Sequence, residues 1–168
     1  TIIPVESCIY EGKGNFVITG MVGKVMEEST NVALSYIKSH ENTFPLKEFY
    51  FNIRDIHIHF LEGAIKKDGP SAGAAITTSI LSLILNKQVD SNIAFTGEIS
   101  LNGDILKVGG IKEKIIGAFN HQIKEVFIPD ANALDLEEIP EDIKNKMEIH
   151  LVKNYQEIYD LLFNESKK

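Results

Sequence analysis

The chain has 168 residues, 43% of them hydrophobic, a formal net charge of −7 and a single cysteine. That length is one ordinary domain with enough apolar side chains for a core, and the acidic balance argues against a nucleic-acid or anionic-membrane surface, which needs a concentrated basic face. Cys8 has no second cysteine to pair with, so a reducing compartment is expected. The most apolar run, Ala74 to Leu85, is too short and too rich in Thr and Ser to span a bilayer.

Taken in chain order, "VESCIY" and "NFVIT" are β-rich runs, and "EGKG" between them predicts a hairpin. "GMVGKVMEESTNVALSYIKSH" shifts to helical period, with Val22, Val25, Met26, Val32, Ala33 and Tyr36 on or near one face. A polar connector carrying Pro45 follows. "RDIHIHF" alternates with period two, so Ile56 and Ile58 share one face of a half-buried strand and His57 and His59 the other.

After a glycine-punctuated loop, "SAGAAITTSILSLIL" is apolar on nearly every side, which suits a central buried helix. "NIAFTGEISLNGDILKVGG" reads as two or three strands, with Asn102-Gly103 as a type I′ turn. "IKEKIIGAFNHQ" is a helix opened by Gly109-Gly110, "KEVFIP" and "EIHLV" are strands, and "NYQEIYDLLF" is an amphipathic helix capped by Asn154. Interleaved strands and helices with hairpins predict an α/β (α+β) domain with mixed sheets and flanking helices.

Two places carry chemistry. Ser71 stands at the entry of the apolar helix, where unpaired backbone N–H groups and the positive end of the helix dipole would meet an oxyanion. A serine there is also the commonest kind of helix cap, so position alone leaves cap and nucleophile both open. A nucleophile needs a base. His57 and His59 share a face of the preceding strand; Lys112 and Lys114 lie in the first turns of the helix after Gly110, where the dipole disfavours cations. Periodicity does not choose between the two lysines. A base lysine must be neutral, which from a reference pKa near 10.4 costs about 4.6 kcal/mol at pH 7, at about 1.36 kcal/mol per unit. It therefore predicts a dry pocket. No metal motif is present, because "HIH" lacks a third ligand at a telling spacing and there is no HExxH.

The residues "KDGPSAG", followed by "TGEISLNGDILKVGGIKEK", closely resemble the proteolytic domain of the ATP-dependent Lon proteases. "GKG", a "VMEES" helix, "DIHIH", "EGA", "IPDAN" and "LEEIP" stand in the family's order along the chain. The resemblance implies a Lon-protease-like fold over residues 1–168 and a serine–lysine dyad of Ser71 and Lys114. It further implies that Thr96 orients the lysine amine, that Asp68 is the loop acid beside the site, and that Glu6, His57 and His59 support it. Gly69, Pro70 and Ala72 are then the loop residues around the oxyanion. Lys66 stands where many members carry proline.

The same resemblance implies an AAA+ ATPase module on the N-terminal side, holding the ATP and Mg²⁺ that this domain would not, and a homo-hexameric ring. Substrates would be unfolded or damaged proteins, with no nucleic-acid or membrane partner. The domain's N-terminal edge looks trimmed. The expected location is the cytoplasm in a bacterium or the mitochondrial matrix in a eukaryote. The rivals are a phosphate-binding or small-molecule phosphotransferase module, since small residues at a helix start also cradle phosphates, and a catalytically silent ring scaffold.

Overall fold

The computed structural model describes residues 2–61 and 67–164, so Lys66 and the loop residues just before it lie outside the described residues. Strands β1 (Val5–Glu11), β2 (Phe16–Thr19) and β3 (Arg54–Phe60) form the first sheet, in the order β1-β3-β2. β1 runs antiparallel to β3 and β2 runs parallel to it, so β3 lies between the two strands expected to form a hairpin. The reason is in the "EGKG" connection. Asp55 of β3 accepts hydrogen bonds from the amides of Lys13 and Asn15, at 2.9 and 2.8 Å, and Gly12 N–H donates to Ile53 O at 2.8 Å. The loop is thereby folded around the incoming strand instead of closing on itself.

Period two in β3 is obeyed: Ile56, Ile58 and Phe60 are buried, while His57 and His59 are half-buried on the other face. Helix α1 (Lys24–Ser39) buries Met26, Ala33, Leu34, Tyr36 and Ile37. Val25, expected on its apolar face, is 45% exposed, and Val22 precedes the helix. The connector after α1 is not simply polar, because Phe44 and Leu46 are fully buried in the core.

Helix α2 (Gly73–Ile84) occupies the centre as its all-round apolarity predicts, between α1 and the inner face of the first sheet. Ser7 of β1 reaches Ser79 of α2, with the two hydroxyls 2.9 Å apart. Beyond α2 stands an all-parallel sheet of β4 (Ile93–Phe95), β7 (Glu125–Pro129) and β8 (Glu148–Val152), in the order β4-β7-β8. One face of it, with Phe127 and Val152, belongs to the core around α2; the other, with Val126 and Ile128, packs in a second core with Ile111 and Ile115 of α3 (Ile111–Asn120). A 3-10 helix over Asp130–Glu138 and α4 (Glu141–Lys144) close that second core.

Between β4 and α3 a small hairpin pairs β5 (Glu98–Ile99) with β6 (Ile105–Leu106). Its turn is not type I′, since Asn102 does not take the required positive φ. Gly103 N–H bonds Ser100 O at 3.0 Å, Ser100 N–H bonds Asp104 O at 3.0 Å, and Gly103 has φ +89°. That is the three-residue loop with a left-handed glycine. Glycine is required there, since any Cβ on residue 103 would enter the Tyr36 ring. Helix α5 (Tyr155–Leu162) begins as expected, Glu157 N–H donating to Asn154 Oδ1 at 3.2 Å. The architecture is thus α/β, with mixed, parallel and antiparallel sheets around one central helix.

Candidate active site

The entry of α2 is built by close backbone contact. Gly97, between β4 and β5, donates its N–H to Ser71 O at 2.9 Å, and its own carbonyl accepts from Ala74 N–H at 3.1 Å. Gly73 permits this approach, because a Cβ there would stand 2.8 Å from the backbone nitrogen of Ile99. Ala72, not Ser71, occupies the cap position of α2, and no side chain caps it. The Ser71 hydroxyl is therefore not consumed as a helix cap. Among the described residues the amides of Ser71 and Ala72 donate to no backbone carbonyl.

Thr96 precedes Gly97 and is held by its own amide, which donates to Phe127 O on β7 at 3.0 Å. Its Oγ1 accepts a hydrogen bond from Lys114 Nζ at 3.2 Å. Lys114 lies in the first turn of α3, which opens at Gly110 in the left-handed region with φ +70°. Burial holds the amine below its ordinary pKa of 10.5. Lys112, two residues earlier, is exposed. The structure thus separates two lysines that helical periodicity could not.

Ser71, Ala72, Thr96, Lys114 and Glu6 line one cleft of about 710 Å³, whose other walls are largely apolar. The remaining expected residues lie off that lining. His57 Nε2 and His59 Nδ1 both bond Thr19 Oγ1, at 2.8 and 2.7 Å, on the face of the first sheet turned away from α2. Glu6 sits opposite His59 in register. Asp68 is turned toward α1, where its Oδ1 accepts from Met26 N–H at 3.0 Å and from Gly69 N–H at 2.9 Å. Pro70 has no N–H to give, and its carbonyl accepts from the Ser29 hydroxyl at 3.3 Å.

Residues that sequence reading missed surround this frame. Lys67 is 4% exposed, and its amine donates to Gly20 O at 3.0 Å. A lone charged residue in a loop carries no periodicity that would announce burial. Elsewhere, Glu125, Glu148 and His150 bring ligand-type atoms within 4.8 Å of one another on β7 and β8, with His150 Nε2 2.7 Å from Glu125 Oε1. The cluster is held by that His150–Glu125 hydrogen bond and shares no residue with the cleft.

The model of the Lon protease (S16) C-terminal proteolytic domain matches residues 1–165. Among curated relatives, the Lon protease of Fusobacterium nucleatum subsp. nucleatum is 48% identical over 153 residues, covering 90% of this chain and 20% of the relative. That of Mycoplasma pneumoniae is 44% identical over 163 residues, covering 97% of this chain and 20% of the relative. That of Mycoplasma mycoides subsp. mycoides is 39% identical over 167 residues, covering 99% and 21%. The chain thus spans about a fifth of the length of these relatives. With a family match over nearly every residue, the chain belongs to the Lon protease C-terminal proteolytic domain family.

Proposed function

We propose that this domain is a serine endopeptidase working through a dyad of Ser71 and Lys114. The observation that carries the reading is a half-buried lysine with a depressed pKa, oriented by Thr96, on the same cleft as a serine free of capping duty. Neutral Lys114 takes the proton from Ser71 Oγ as that oxygen attacks the scissile carbonyl carbon. The carbonyl π electrons move to oxygen, and the oxyanion is met by the amides of Ser71 and Ala72 beside the positive end of α2. Collapse breaks the C–N bond, and Lys114 returns the proton to the leaving amine. Water, deprotonated by Lys114, then attacks the acyl ester, releasing the acid and restoring the serine hydroxyl.

Membership of the family supports ATP-driven delivery of unfolded or damaged proteins by an AAA+ module and assembly as a homo-hexamer. The relatives named are bacterial, which favours the cytoplasm over an organelle. No helix among the described residues is long and apolar enough to cross a membrane.

The test is covalent. A serine-directed peptidyl phosphonate or boronate is mapped by mass spectrometry, and the expected adduct lies on Ser71 and is lost in Lys114→Ala. Nucleotide binding without an adduct would favour a phosphotransferase, and neither result a silent scaffold.

A further inference from the structure

The loop that carries Ser71 is bonded residue by residue to the start of α1. Gly23 N–H donates to Lys67 O at 2.7 Å, and Lys67 N–H donates to Met21 O at 2.9 Å. The buried Lys67 amine reaches Gly20 O, Met26 N–H reaches Asp68 Oδ1, and the Ser29 hydroxyl reaches Pro70 O. The next residue is Ser71.

Asp68 is the centre of this seam. The cap position of α1 is Gly23, which has no side chain to satisfy the orphan amides of the first turn. Met26 is the third helical residue, whose amide a cap side chain ordinarily accepts. Here a carboxylate 42 positions away accepts it, at 3.0 Å. Glycine and acid are complementary: the extended backbone of Gly23 would suit any residue, but a Cβ there would run into the Asp68 carboxylate. The first helical residue, Lys24, puts a cation at the positive end of a 16-residue helix, a placement the Asp68 charge offsets.

Resting on the dyad reading above, we propose that Asp68 is a positioning residue: it caps α1 in trans and thereby pins the loop that presents Ser71 to Lys114. Asparagine keeps an acceptor oxygen at the same place and preserves the tether. Alanine removes both cap and tether. Aspartate at residue 23 combined with alanine at 68 restores a cap to the helix but leaves the loop untied, so helix stability and loop position are read separately.

The experiment measures the rate of Ser71 phosphonylation and the thermal midpoint in the full natural chain. Asp68→Ala is expected to slow labelling about 10- to 100-fold, the scale of a reacting group misplaced by about an ångström. Asp68→Asn should label near the wild-type rate. Gly23→Asp with Asp68→Ala should recover the midpoint and remain slow to label. Equal labelling of Asp68→Ala and wild type overturns the tether alone. So does recovery of labelling together with the midpoint in the double variant, which would make Asp68 a helix cap and nothing more. Absence of any Ser71 adduct in the wild type overturns the dyad reading, and the tether's catalytic meaning with it.

Discussion

Lys114 Nζ donates to Thr96 Oγ1 at 3.2 Å, joining the first turn of α3 to the turn whose next residue, Gly97, bonds the Ser71 carbonyl. Three segments distant in sequence are thereby set around one cleft. Thr96→Val removes the acceptor while keeping the shape, and is expected to lower kcat about 10- to 100-fold through loss of orientation, with KM little changed. Thr96→Ser keeps the hydroxyl and should retain most of the rate. Steady-state kinetics on a short peptide distinguish the two.

Lys114 itself is expected to be irreplaceable by another cation. Arginine remains protonated throughout the accessible pH range and cannot accept the Ser71 proton. Both Lys114→Arg and Lys114→Ala should lose about 10²- to 10⁴-fold in kcat/KM, the usual contribution of a positioned general base. A Lys114→Arg variant with near-native peptidase activity would remove the lysine from the mechanism.

The acid limb of the pH–rate profile follows from the same residue. Burial depresses the Lys114 pKa; if Lys114 is the base proposed above, the reactive form is the neutral amine, and kcat/KM is expected to rise with pH through the folded-state value, at a point below 10.5. The stability sign is set by the same shift. Below the folded value the amine is charged in both states and the folded chain bears the whole burial penalty. Between the folded value and 10.5 the unfolded chain binds more protons, so the penalty is relieved as pH rises. An acid limb unmoved by raising the polarity around Lys114, as in Ile115→Thr, would argue against this assignment.

Gly103→Ala should destabilise the fold without touching the cleft. It places a Cβ at φ +89° and drives it into the Tyr36 ring, for a combined loss of about 2 to 5 kcal/mol in a denaturant titration.

Asn154→Ala removes the side chain that accepts Glu157 N–H at the start of α5. The expected loss is about 1 kcal/mol, and Asn154→Asp should lose far less. Together with Gly103, whose carbonyl accepts from Tyr155 N–H at 2.8 Å, this cap ties α5 to the small hairpin.

Much of this molecule was legible in one dimension because local rules were enough. Period two placed Ile56 and Ile58 inward; all-round apolarity made α2 central; Asn154 announced a helix start; and "DGPSAG" with "GGIKEK" marked the family. Tertiary structure alone decided whatever depends on distant partners. β3 came between β1 and β2 because Asp55 holds the connecting loop, and Tyr36 excludes any side chain at Gly103 of the hairpin turn. Phe44 and Leu46 were drawn from a connector into the core. Lys114 differs from Lys112 by desolvation and a hydrogen bond to Thr96, and Asp68 caps a helix 42 residues upstream of it. Spacing along a chain records which face a residue occupies; burial and long-range hydrogen bonds exist only once the segments have met.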